Sequence, residues 1–556
     1  MLENFDPNTI QDLDGARQAI VHLLNLIEDL TADLRKAQAE IQHLRDENNR
    51  LKGEQGKPTI KPSKKPRPPN PSDHSSERER HKPREWKKRS KVDQIHIDRE
   101  QVLPIDPVGL PPDAEFKGHD PVVVQDIILR TDNVRFLKEK YYSPAQGKSY
   151  LAKLPKGYAG GFGPGVKSAV LVWYHGMTTS EPKILAFLEQ VGIRISAGHL
   201  SNLLIHKQDT FHEEKTAVYQ AGLGTSPYQN IDDTATRVNG VNQHCHVVGS
   251  PLYTAYSTKE KKDRLTVLDV LRNDAPRVYR LNAQAYTWLE SFSLPEATMA
   301  KLHTLPQEQD LSDTEFARHL DEQLPQLVSP QRKHIMEAAA VAAYHHQTTW
   351  PVVDTLVCDD AGQFKGLTAR LGLCWVHDGR HYKKLEPAVA LHRQRLDTFL
   401  GRYWAFYHKL LDYPTQPSGE RAVQLSQEFD ALFATVTGYT ALDERIAKTK
   451  VKKTQLLLVL EHPEIPLHNN LAELGARLRV RKRDVSYGPR TSTGKKAWDT
   501  FMTLDATAKK LGVSFYQYIY DRVSGKLELP SLASLVTQQA EQRQLGASWQ
   551  LKAASP

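Results

Sequence analysis

Carboxylates at three separated places in this chain could together hold divalent cations. Ile231-Asp232-Asp233-Thr234 and Val357-Cys358-Asp359-Asp360 each set two aspartates within, or at the end of, an apolar strand-like run. Glu473 follows His468-Asn469-Asn470-Leu471-Ala472 on the first turns of a helical stretch. Leu471, Leu474 and Leu478 recur at spacings of three and four, which predicts the apolar face of that helix, with Glu473 off the stripe. Two metal ions about 3.5–4 Å apart need shared, hard oxygen ligands to clamp the attacking and leaving oxygens of a phosphoryl transfer. A lone acid among cations is ordinarily a solvated salt-bridge face; three acidic sites on separate elements point to a metal centre. Arg477, Arg479, Arg481, Lys482 and Arg483 follow Glu473 and supply the cationic surroundings a polynucleotide needs. Adjacent residues on a strand face opposite ways, so one aspartate of each pair faces the metals: Asp232 or Asp233, and Asp359 or Asp360.

Positioning such a site requires a sheet and a late helix. Runs near 228–236, 243–248 and 251–257 predict three strands with short connections, followed by a helix near 263–271. Helical pattern fills 283–347, strands are expected at 352–358 and 371–376, and the Glu473 helix comes after a long amphipathic stretch. Three antiparallel strands, then parallel strands separated by helices, is the order of a ribonuclease-H-like α/β core.

At 556 residues the chain is too long for one domain, and its net charge of +8 favours a polyanionic partner. Its three cysteines form no C-x-x-C pair, which argues against a disulfide framework and a four-cysteine zinc module. No signal peptide and no membrane span is expected. Ile20, Ile27, Leu34, Ile41 and Asn48 recur every seven residues beside a seam of Leu23, Leu30, Ala37, Leu44 and Leu51. Isoleucine at one core position, leucine at the other and one Asn favour a parallel two-stranded coiled coil.

The expected division runs as follows: a coiled-coil dimerisation helix over 1–52, a basic linker over 53–91 and a small β-rich module over 92–152. A helical segment over 153–220 includes a helix pair suited to helix-turn-helix DNA contact. The catalytic core takes 221–376 and 463–523, with a helical insertion over 377–462 between them, and 524–556 forms a C-terminal tail.

These motifs resemble the insertion-sequence 66 family of bacterial transposases, within the DDE superfamily. The likeness covers most of the chain. Asn469-Asn470, Glu473 and Arg477 match the family's late motif, Asp232 and Thr234 its D-x-T, and Asp359 its second acid. Cys374 and His377 match a C-x-x-H string, with Arg380 following. The chain departs from the family in two places: residues 92–150 hold no cysteine where a zinc finger is usual, and Leu474 stands where arginine tends to follow the acid. The resemblance implies a DNA transposase that cleaves transposon ends and joins them to target DNA. It favours Asp232 and Asp359, with Asp233 and Asp360 as second choices. With Glu473 they would hold two Mg²⁺, for which Mn²⁺ could substitute. Arg477, Arg479, Lys482, Arg490, Asn469 and Asn470 are expected on DNA, and Cys374, His377 and Arg380 in structural roles near the site. A homodimer through the N-terminal helix, transposon-encoded accessory proteins and a cytoplasmic, nucleoid-associated location complete the expectation. The competing readings are an inactive DNA-binding derivative and a ribonuclease-H-like nuclease.

Overall fold

The computed structural model describes residues 12–52, 95–111, 113–158, 161–292 and 294–545. The fold is mixed α/β, built on one five-stranded sheet. A hairpin of β1 (Lys140–Ser143) and β2 (Lys148–Leu151) precedes it. β3 (Gln229–Val238), β4 (Val241–Gly249) and β5 (Thr254–Lys259) form an antiparallel meander. Asn239 and Gly240 join β3 to β4, and both take positive φ, the two-residue geometry that matches strand twist. β6 (Val278–Tyr279) and β7 (Leu311–Ser312) make a separate small pair. β8 (Thr355–Cys358) then lies parallel to β3, and β9 (Arg370–Leu373) parallel to β8, giving the order β5-β4-β3-β8-β9. β8 is buried along its whole length, as expected of a central strand with its apolar run unbroken.

Helices run in chain order around this sheet: α1 (Leu13–Leu51), α2 (Pro164–Leu171), α3 (Glu181–Gln190), α4 (Ala197–Ile205) and α5 (Asp209–Thr225) precede it. Within and between the strands come α6 (Arg264–Leu271), α7 (Ala283–Glu290), α8 (Glu296–Leu302), α9 (Asp313–Gln323) and α10 (Ser329–His346). After β9 follow α11 (Trp375–Lys383), α12 (Ala390–Asp412), α13 (Gly419–Phe433), α14 (Thr440–Lys450) and α15 (Lys453–Leu456). The chain then returns to the sheet as α16 (Asn470–Ser486) and α17 (Ser492–Leu511), and ends with α18 (Phe515–Ser524) and α19 (Leu532–Gln542). α16 packs on β3 and β4, and α17 on β5. Ser196 caps α4 as its side chain accepts the His199 N–H, the entry chemistry that the helix-pair reading requires.

Three expectations change. Residues 374–376 begin α11 instead of ending a strand. Part of the expected tail packs: Leu532, Val536 and Ala540 of α19 are buried, and α19 lies against α5 and α17. In the 92–152 module, β1 and β2 are the only strands among the described residues. Val122, Val124, Ile127 and Ile128 are each at least 76% exposed, so an apolar run that reads as strand finds nothing here to pack on. The basic linker, 53–91, lies outside the described residues.

α1 has two faces. Most of its heptad seam is uncovered along this chain: Ile20, Ile27, Leu30, Leu34, Ile41 and Leu44 are all about half exposed or more, while Leu23 is half-buried. The opposite face docks on the helical insertion. Glu28 is buried; its Oε1 accepts the Ala388 N–H at 2.6 Å, and its Oε2 accepts the Val389 N–H at 3.1 Å and lies 3.2 Å from His392 Nδ1. Burial alone would raise the Glu28 carboxyl, but these N–H donors and His392 outweigh it and hold the group below its usual value. α12 has no side-chain cap of its own, so Glu28 serves as one from another helix. Asn25 donates to Gly438 O at 3.1 Å and accepts the Thr440 N–H at 3.0 Å.

Candidate active site

Asp232 comes from β3 and Asp359 from the residue just past β8. The parallel register pairs Gln229 with Leu356 and Asn230 with Val357, and continuing it by two places sets Asp232 beside Asp359. Neighbouring strands lie about 4.8 Å apart, so the two carboxylates start from adjacent backbones. Glu473 arrives on the first turn of α16. Asn469 fixes that turn from three sides: its Nδ2 donates to Ile231 O at 2.6 Å, its Oδ1 accepts from Asn230 Nδ2 at 2.9 Å, and its N–H points at Cys374 Sγ at 3.3 Å. The residue immediately before Asp232, the cap of α11 and the start of the Glu473 helix are thereby one rigid unit.

The electrostatics record the convergence. Burial first, then the charges of Asp359, Glu473 and Asp233, push the Asp232 carboxyl up to about 7. The second member of each aspartate pair points elsewhere. Asp233 accepts from Gln363 Nε2 at 2.9 Å and lies 3.6 Å from Lys262 Nζ. Asp360 is held by Lys452 at 2.5 Å and Lys365 at 2.9 Å. Burial would raise the Asp360 carboxyl, but these two lysines outweigh it and keep it below its ordinary range.

Glu473 also faces a soft-ligand corner. Its Oε1 lies 3.3 Å from His377 Nδ1 and its Oε2 3.2 Å from Arg380 Nη2, while Arg380 Nη1 meets His377 Nε2 at 2.9 Å. Ligand atoms of Cys374, His377 and Glu473 fall within 4.8 Å of one another. Burial pushes the Cys374 thiol up to about 12 and depresses the His377 imidazole, so without a bound cation both are neutral at pH 7. Glu473 Oε1 and His377 Nδ1 are buried atoms that make no hydrogen bond. Asp232, Asp359 and Glu473 are half-buried, and clustered carboxylate oxygens are the donors that hard divalent cations take, so the chemistry of this donor set fits Mg²⁺.

Several residues expected on DNA are inside the protein. Asn469 and Asn470 are buried, and Asn469 positions the site. Arg479 is fully buried: its guanidinium donates to Asp499 Oδ1 at 3.1 Å and Thr258 Oγ1 at 2.9 Å, and sits 4.9 Å from the Trp498 ring centre. Lys482, 1% exposed, donates to Tyr174 O at 2.6 Å with its ammonium 3.9 Å from the Tyr174 ring and 4.7 Å from that of Trp498. Burial and neighbouring Arg479 lower the Lys482 amine to about 7. The expected apolar face of α16 is also rotated. Ala472, Gly475, Ala476, Arg479 and Lys482 face inward, whereas Leu478 is 40% exposed. Arg477, Arg481 and Arg490 are exposed. No composition signal marks Asn230, Lys262 or Gln363 as site neighbours; only the register does.

The sequence profile of the transposase IS66 family matches residues 328–497, a span that carries Asp359, the C-x-x-H string and Glu473. The class that this profile describes is thus that of transposases. A 324-residue stretch, 58% of the chain, is 33% identical to the uncharacterized protein y4jO of Sinorhizobium fredii (strain NBRC 101917 / NGR234) and covers 99% of it. The protein belongs to the IS66 family of transposases. No helix among the described residues is long and apolar enough to cross a membrane.

Proposed function

We propose that this protein cleaves the ends of a bacterial insertion sequence and joins them to target DNA, using Asp232, Asp359 and Glu473 to hold two Mg²⁺ ions. The observation that carries this reading is that the β3–β8 register sets Asp232 beside Asp359 while Asn469 ties the start of the Glu473 helix to the Ile231 carbonyl. The strand order supports a ribonuclease-H-like core, with acids on its first and fourth strands and on a late helix. When bound, the cations would activate a water or 3′-hydroxyl and stabilise the leaving oxygen. The three carboxylates would orient them, Asn469 would keep Glu473 in register with Asp232, and Arg380 would release Glu473 as positive charge arrives. Arg477 and Arg490 remain as phosphate contacts, and the uncovered seam of α1 would pair two copies so that two ends are handled together.

The test is supercoiled DNA bearing candidate ends, incubated with Mg²⁺. Strand-transfer products are expected; binding alone would indicate an inactive derivative, and hydrolysis alone a nuclease. Asp232→Asn, Asp359→Asn and Glu473→Gln should each abolish cleavage while duplex binding persists. Asp233→Asn should retain most cleavage, because its partners are Gln363 and Lys262. Wild-type cleavage by Glu473→Gln would refute the assignment.

A further inference from the structure

Cys374 caps α11 and His377 lies on its first turn, a C-x-x-H spacing that offers a metal only half of its ligands. The third ligand comes from α16: atoms of Cys374, His377 and Glu473 lie within 4.8 Å of one another. With metal–ligand bonds of about 2.0–2.3 Å, donors around a tetrahedral Zn²⁺ stand roughly 3.3–3.8 Å apart, so small side-chain shifts would close the trio on an ion. Mg²⁺ takes oxygen ligands, whereas Zn²⁺ accepts thiolate, imidazole and carboxylate together. The corner therefore differs in chemistry from the all-carboxylate set beside it, and Glu473 belongs to both.

The surroundings suit a bound metal better than the bare side chains. Cys374 is fully buried; its Sγ receives the Asn469 N–H at 3.3 Å, and the Val376 and His377 N–H groups face it from the start of α11. A neutral thiol is a weak acceptor, whereas a metal-bound thiolate takes charge-assisted hydrogen bonds from such donors. Glu473 Oε1 and His377 Nδ1 stand 3.3 Å apart as buried atoms without a hydrogen bond. The positive charge now at this corner is Arg380, with Nη2 3.2 Å from Glu473 Oε2 and Nη1 2.9 Å from His377 Nε2. A guanidinium only donates, so Nε2 is the bare nitrogen in this arrangement and Nδ1 carries the proton. A metal on Nδ1 reverses that and turns an N–H toward Arg380, which must then leave. Arg380 is half exposed and can swing into solvent.

We infer that Cys374, His377 and Glu473 form a Zn²⁺ site that draws Glu473 away from the two aspartates, so that Zn²⁺ opposes Mg²⁺ at one shared carboxylate. On binding, a Zn–S bond replaces the S–H bond of Cys374, the proton passes to solvent, and water completes the coordination. Zinc binding needs only the three side chains; its opposition to cleavage rests on the reading of the chain as a Mg²⁺-dependent transposase. Full-length protein titrated with Co²⁺, the spectroscopic stand-in for Zn²⁺, should develop a thiolate-to-cobalt band as one ion binds per chain, and Zn²⁺ should bleach it. Cys245 and Cys358 belong to no such trio among the described residues, so the band should vanish in Cys374→Ser. His377→Gln should weaken Co²⁺ binding at least about tenfold. Arg380→Ala should bind Co²⁺ several-fold more tightly, since the competing cation is gone; looser binding would mean that Arg380 and His377 only hold Glu473 in place, and would overturn the inference. A wild type with no thiolate band, or a band that survives Cys374→Ser, would overturn it as well. If Cys374→Ser does not fold, His377→Gln decides, and wild-type Co²⁺ affinity in that variant counts against the site. Zn²⁺ in slight excess over protein, and far below Mg²⁺, should block cleavage, and a zinc-selective chelator should restore it. Cobalt binding without that block in an active enzyme would overturn the sharing of Glu473. An enzyme inactive in Mg²⁺ alone would be a failure of the transposase reading, and the cobalt spectra would still decide the zinc site.

Discussion

Asp232 is the residue whose chemistry is most constrained by its neighbours. Its folded pKa of about 7 lies above the ~3.9 of an unfolded aspartate, so the native state binds that proton more tightly than the unfolded chain does. The sign is therefore destabilising on deprotonation: metal-free protein should lose stability as pH rises from about 4 to about 7. Magnesium competes for the same oxygens, so it should bind weakly below about pH 7, and at pH 8 it should restore the lost stability. Calorimetry at pH 5 and pH 8, with and without Mg²⁺, reads this directly. Asp232→Asn should flatten the dependence, and a wild-type profile in that variant would remove Asp232 from the metal-binding set. That acids sit on β3, just past β8 and early in α16 was legible from residue type and flanking apolar runs. Which member of each pair turns inward was not, because period-two alternation leaves either parity open until β3 and β8 are in register.

α16 shows what helical periodicity hides. Three leucines suggested one face, but the side that meets the sheet carries Ala472, Gly475 and Ala476, because the helix approaches β4 too closely for large side chains. A Cβ on Gly475 would stand 2.6 Å from Val247 Cγ1 and 3.3 Å from the Tyr256 hydroxyl, which itself donates to Gly475 O at 3.1 Å. Gly475→Ala should cost about 1–3 kcal/mol by overpacking, and should lower cleavage further, since Glu473 is two residues away. Val247→Ala in the same chain should return part of both. Urea melts and single-turnover cleavage measure the two losses; a Gly475→Ala protein with wild-type stability would mean the helix is free to shift. Arg479→Ala tests the same face from its polar end. Asp499 would keep Thr258 but lose its countercharge inside the protein, at a cost of about 3–5 kcal/mol. Charge density on α16 was visible in the sequence; its burial depended on Trp498 and Asp499 of the following helix and on Tyr174, which lies 308 residues before Lys482.

At the scale of the whole molecule, α1 carries two faces that serve different partners. Its seven-residue repeat was legible without a structure. Glu28 and Asn25 read as ordinary exposed polar positions, because the backbone groups they satisfy lie about 360 and 410 residues later. Docking through that polar face leaves the isoleucine and leucine seam uncovered along this chain, which is the arrangement a second copy could complete in parallel, with Asn48 opposite its own counterpart. The two faces can be broken separately. Glu28→Ala leaves the Ala388 and Val389 N–H groups without their acceptor, at a cost of about 1–3 kcal/mol, and should loosen α1 from the insertion without changing the oligomer. Ile27→Lys with Leu34→Lys puts like charges across the seam and should give monomers, while Glu28 still holds α1 to its own chain. Those monomers should bind a single DNA end normally and lose most of their capacity to hold two, since the second end would no longer be captured intramolecularly. Light scattering reports the oligomer, and a two-end gel-shift assay reports the pairing. If the lysine variant remains dimeric and pairs ends as well as wild type, the seam is not the dimer interface and α1 serves its own chain alone.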